Sequence, residues 1–143
     1  MAERRYYRVA GHVFSLEASA SCLDALTNYA PFRISEKDYA PADFRFSLLI
    51  SESASLDTAS LGEPYFVDSS DEDMPRIEVY RSENQHWTFG VSVCKTSPLC
   101  SLIHASYDFR EATVQVATRD VAFAINNAAM LLFAFSTAPF GTL

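Results

Sequence analysis

The sequence predicts an α+β domain in which an antiparallel meander sheet packs on a long apolar C-terminal helix, with one short helix besides. Two patterns and a length carry that reading. Between Arg76 and Ala117, runs that alternate apolar and polar residues are separated by short turn-forming links, the period of half-buried strands joined as hairpins. From Val121 to Phe135 the chain holds no Gly, Pro or charged residue and is rich in Ala, Leu, Met and Phe, so a helix there must be covered on most sides. A chain of 143 residues suits one core.

Taken in order, Tyr6 to Glu17 contains two short alternating runs split by Gly11, which reads as a bulge or bend. Tyr7 and Val9 share one side of the first run, Phe14 and Leu16 one side of the second. Ser19 or Ser21 is placed to cap a short helix from about Cys22 to Tyr29, with Leu23 and Leu26 on one face and Pro31 to end it. Phe32 to Asp43 reads as loop. Phe44 to Ile50 is a strand with Phe44, Phe46, Leu48 and Ile50 on one side. Ser51 to Ser60 is a polar connection, and Glu63 to Asp68 a short strand. Ser69 to Pro75, SSDEDMP, is the most acidic run. It reads as a solvated hairpin connection in preference to a cation site, because it lacks the Gly and terminal Glu of a calcium loop.

Arg76 to Arg81 and His86 to Lys95 pair across a turn at Ser82 to Gln85. Cys100 to Tyr107 and Arg110 to Ala117 follow, with Asp108 as the turn residue between them. Such a meander has one apolar face, and the helix Val121 to Phe135 is the only element large enough to cover it. That helix is apolar beyond the single face a sheet can cover. Part of it is therefore left for the short helix and N-terminal strands to wrap, or for another chain segment.

Composition bounds the function. Lys and Arg total 11 against 18 Asp and Glu, a net charge of −7, and no basic cluster exceeds Arg4, Arg5 and Arg8, so binding to a phosphate backbone is disfavoured. The N-terminus has no apolar run of signal-peptide length. The 15 apolar residues from Val121 to Phe135 fall short of the roughly 20 that span a bilayer, and no membrane partner is expected. Cys22, Cys94 and Cys100, odd in number and irregular in spacing, suit reduced thiols in a cytoplasm.

Chemistry-bearing motifs are sparse. His12, His86 and His104 are scattered. Cys100 and His104, four apart on a strand and sharing a face, would lie ~13 Å from each other, too far for a thiolate and its base. No Gly-x-Ser-x-Gly elbow or Gly-rich phosphate loop occurs. No catalytic residue, cofactor or metal ligand is expected. Asn126 and Asn127 are the notable pair: buried amides need partners. Their structural reading is a bond to loop backbone or a place at the wetter edge, and their functional reading is a ligand or interdomain contact.

The run FAINNAAMLLFAFSTAPFGTL, with the upstream LCSLIHASYDFREATVQV, resembles the region just before the nucleotide-binding core in proteins similar to HPr serine kinase/phosphorylase, of the kind found in gut anaerobes. The resemblance is most specific over the last forty or so residues. It implies a chain that continues into a strand and a Walker A loop, which this sequence does not contain, so no catalytic residue carries over. It implies a non-catalytic accessory N-terminal domain, whose surplus apolar surface packs on the C-terminal kinase-like domain of the same protein or on a second copy through the C-terminal helix. The residues expected to carry that contact are Asn126, Asn127, Met130, Phe133, Pro139 and Phe140. The alternative is a free-standing module with an apolar pocket between sheet and C-terminal helix, lined by aromatics such as Phe44, Phe46, Trp87 and Phe89. An enzyme in its own right ranks third.

Overall fold

A computed structural model describes residues 2–53, 56, 61–68, 74–81, 86–117 and 121–140. Its frame is a sheet of strands β1 (Ala2–Val9), β2 (His12–Ser19), β3 (Arg33–Ile34), β4 (Phe44–Ser53), β5 (Phe66–Asp68), β6 (Arg76–Arg81), β7 (Trp87–Ser92), β8 (Leu99–Ala105) and β9 (Glu111–Ala117). The helices are α1 (Ala20–Asp24) and α2 (Val121–Thr137). The nine strands lie in the order β3-β1-β2-β4-β9-β8-β7-β6-β5. The expected α+β class therefore holds, as do the meander of the second half and the long apolar helix.

β1 and β2 form a hairpin whose last pair is Val9 with His12. Gly11 is part of the two-residue turn there, not a bulge within a strand: Ala10 and Gly11 have φ of 52° and 81°, the left-handed pair that matches strand twist in a type I′ turn. Ser19 does cap α1, its Oγ accepting from the Cys22 amide at 3.2 Å. The helix is shorter than the Cys22 to Tyr29 span expected. It gives way to a 3-10 helix over Thr27–Phe32 that holds Pro31 inside it. Pro31 lacks only a donor that a short tight turn can spare. The stretch read as loop also contributes β3, which pairs with β1 at Tyr6 and Tyr7.

β4 is the departure from a pure meander. It runs parallel to β2 on one side and parallel to β9 on the other, whereas β5 to β9 are antiparallel throughout. Parallel neighbours need a crossover. α1, the 3-10 helix and β3 supply the first, and the whole β5–β8 ribbon supplies the second. The turn expected at Ser82 to Gln85, the acidic residues 69–73 and most of the connection 54–60 lie outside the described residues.

α2 covers the sheet centre. Ala124, Ile125, Ala128 and Leu132 are completely buried and belong to one cluster with Phe46, Leu48, Val114, Val116 and Ile103 of β4, β9 and β8. Ala at 124 and 128 lets the helix approach the sheet closely, while Ile125 and Leu132 fill the gaps. Each such burial of a large side chain is worth about 1.5–3 kcal/mol. Counted with the 3-10 turn Ala138–Phe140, the helical segment reaches 20 residues from Val121 to Phe140 and is long and apolar enough to cross a membrane by length and composition. Its face against β4, β9 and β8 is that of a core helix.

Candidate functional site

α2 leaves three of its large apolar neighbours in solvent. Met130 is 69% exposed, Phe135 46% and Phe140, in the turn after the helix, 55%. Met130 and Phe135 stand on opposite flanks. Phe135 stacks on Phe109 with ring centroids 4.7 Å apart and on Phe89 at 6.0 Å. Phe109 holds this position with φ of 60°, a strained conformation for an aromatic residue that the ring stack helps to hold.

Along the Met130 flank runs an apolar groove of about 300 Å³, lined by Val9, Phe14, Tyr29, Ala129, Met130, Phe133 and Ala134. It lies between the β1–β2 hairpin, the 3-10 helix and α2. The ring of Phe14 makes its floor, edge-on to Phe133 at 6.3 Å and to Tyr29 at 6.4 Å. Burial in this apolar surrounding pushes the Tyr29 phenol up to about 12. None of the aromatics expected to line such a pocket does so. Phe46 and Phe89 are almost wholly buried as core, Phe44 packs with Tyr6 and Tyr39, and Trp87 meets Tyr65 and Arg81. Alternation identified these as inward residues without telling filler from wall.

The expected contact residues separate. Asn126 Oδ1 accepts from Asn28 Nδ2 of the 3-10 helix at 3.4 Å; neither residue lines the groove, and Asn126 stands three and four residues before its Ala129 and Met130. Asn127 Nδ2 donates to the Phe123 carbonyl of its own helix at 2.9 Å, a local bond. Met130 and Phe133 line the groove, whereas Pro139 and Phe140 are exposed beyond the end of α2.

At that end stands a second cluster that no motif in the sequence marks. His12 is 5% exposed, and its ring lies against Phe133 at 5.8 Å and Phe140 at 5.9 Å. Arg45 Nε donates to His12 Nδ1 at 2.7 Å, and Arg45 Nη1 donates to the Ala42 carbonyl at 2.7 Å. The guanidinium carbon sits 3.8 Å from the centre of the Phe140 ring, a cation–π contact. Arg45 reaches this side because the β2–β4 register slips between Val13 and Phe14, which pair with Phe44 and Phe46. Since Nδ1 accepts, the neutral ring carries its proton on Nε2, and Nε2 is buried without a hydrogen-bond partner.

On the opposite face of the sheet, Arg4, Ser15, Glu17, Ser47, Leu49, His104 and Thr113 are among the residues around an open depression of about 440 Å³. Arg4 Nη2 is already paired with Glu17 at 2.8 Å. His104 Nδ1 is 3.0 Å from Thr88 Oγ1. Cys100 was expected to share a face with His104. It is instead fully buried in the α2-side core, because the β7–β8 register shifts between Val91 and Ser92, which pair with Ser101 and Leu99 and leave Cys100 as the extra residue. Cys94, in the β7–β8 turn, is the accessible thiol. Hydrogen bonding with the Ser97 and Thr96 side chains pulls it down to about 7. Among the described residues no three His, Cys, Asp or Glu side chains are placed to hold a metal ion.

Compared with protein-family models, with curated proteins and with solved structures, the chain matches none.

Proposed function

We propose that this chain is a non-catalytic docking domain that packs through the outer side of α2 and the turn after it, in the way its resemblance to HPr serine kinase/phosphorylase-like proteins implies, on a P-loop kinase-like core. The observation that supports this reading is the exposure of Met130 and Phe140, which follow one flank of α2 to its end with Phe133 between them. Large side chains gathered in that way mark contact surfaces more often than they occur on free monomers. Cys22, Cys94 and Cys100, none of them in a disulfide, accord with a reducing, cytoplasmic setting.

The test has two parts. The encoding locus is read beyond codon 143 for a frame that continues into a Gly-x-x-x-x-Gly-Lys-Ser/Thr loop. In parallel, the chain is run by sedimentation velocity with and without Met130→Glu and Phe140→Ser. Concentration-dependent association that both substitutions abolish, at unchanged thermal midpoint, is expected. A strictly monomeric wild type with no continuing frame sinks the docking reading.

A second reading, a small-molecule-binding module, is favoured by the groove. Its lining is almost wholly apolar, and it lies between the sheet's N-terminal hairpin and α2. Sites for small ligands combine such walls with a few placed polar groups.

A further inference from the structure

We infer that the groove beside α2 takes a free single-chain amphiphile with an uncharged hydrogen-bonding head, its tail over Phe14 and Phe133 and its head at the amides of Asn28 and Asn126. The inference rests on the second reading above and gives that site an orientation and a ligand class.

The tail end follows from the walls. Val9, Phe14, Ala129, Met130 and Phe133 present carbon and sulfur to a volume of about 300 Å³, and no charged side chain is among the lining residues. Position 126 precedes Ala129, Met130 and Phe133 by three, four and seven residues, so all four project along one flank of α2. Asn126 therefore stands in line with the groove at its N-terminal end. From Asn126 to Ala134 the helix advances ~12 Å, at ~1.5 Å per residue, which matches a tail on the order of ten carbons.

The head end follows from the amides. Asn28 and Asn126 share one long bond, Nδ2 to Oδ1 at 3.4 Å. That contact leaves the Asn126 amino group as a donor and the Asn28 carbonyl as an acceptor for a ligand. A hydroxyl or amide head can satisfy both at once. A carboxylate offers no donor to the Asn28 carbonyl, an ammonium no acceptor to the Asn126 amino group, and neither finds a counter-ion among the groove's lining residues.

The probes are 1-monodecanoylglycerol, decanoate and decyltrimethylammonium, each kept below its micelle concentration and titrated calorimetrically into the whole chain. Expected is one monodecanoylglycerol per chain, bound at least tenfold tighter than either charged probe. Asn126→Leu or Asn28→Ala should weaken it about tenfold, and Ala134→Trp or Met130→Glu should abolish it. Asn28 and Met130 are exposed, so their variants carry the test even where a helix substitution disturbs folding, which near-ultraviolet circular dichroism reports. If all three probes bind alike and the Asn variants change nothing while Ala134→Trp still blocks, the head assignment is overturned and the groove reading survives. No binding, or binding indifferent to both Ala134→Trp and Met130→Glu, overturns the two together.

Discussion

His12 is the residue at which the fold is most exposed to its solvent conditions. Burial, and after it the Arg45 guanidinium, hold the imidazole below its usual 6.5, with Asp43 opposing. The neutral ring is also the one that accepts from Arg45, and a protonated ring cannot do so. A depressed folded value means that the unfolded chain takes up the proton first as the pH falls. The stability due to His12 is therefore fully present above about 6.5 and is lost as the pH drops through that value toward the folded one. His104 is lowered in the same direction but is exposed on the other face of the sheet, where solvent screening leaves it a small contribution. The urea midpoint is expected to be lower at pH 5.5 than at pH 7.5, with a slope from His12 no steeper than about 1.4 kcal/mol per pH unit. His12→Asn keeps an acceptor near Nδ1 and removes the titration, so it should flatten part of that slope. An unchanged slope in the variant would mean that other groups carry it.

This cluster was also the least legible part of the sequence. His12 stood among scattered histidines, and Arg45 on the polar side of an alternating strand. Only the register slip between β2 and β4 turns Arg45 toward His12, and such slips leave no periodic trace. The same holds for Cys100, whose face was reversed by the β7–β8 shift.

At the scale of the element, α2 shows what periodicity can and cannot reveal. Its composition announced a covered helix with apolar surface left over, and it has both. It could not say which flank was which, because a helix apolar all round has no preferred face in the sequence. The structure divides it sharply. Leu132 is completely buried and Met130 is 69% exposed, two residues apart. Leu132→Ala is expected to cost about 2–5 kcal/mol of unfolding free energy, and Met130→Ala less than about 0.5 kcal/mol. Comparable losses in a denaturant titration would contradict the placement of the buried face. β7 carries a similar division: a Cβ on Gly90 would come within 2.9 Å of Leu99 Cδ1, so a larger residue on the strand's polar side would have to turn the Leu99 side chain aside.

At the scale of the molecule, the sheet is closed by its middle. The antiparallel runs from β6 to β9 were legible because each strand pairs with its sequence neighbour. β4 was legible as a strand and not in its partners, because Leu48 lies between Leu16 on one side and Ala112 on the other, and pairings so distant in sequence carry no local mark. A chain ending before Glu111 would lack both β9 and α2, the cover of the core. Such a truncation is expected to be unfolded by circular dichroism and rapidly cut by protease, while the full chain resists; a cooperatively folded fragment would refute the dependence of β4 on β9.

The parallel placement of β4 bears on how the protein is made. Strand β4 leaves the ribosome well before β9 does, and at roughly 5–20 residues per second the interval is on the order of 3–12 seconds. Throughout that time Phe46, Leu48 and Ile50, which end buried under α2, have neither their second neighbour nor their cover. The nascent chain thus presents a sticky apolar strand for far longer than local structure takes to form, which makes this segment the natural place for a chaperone to hold it.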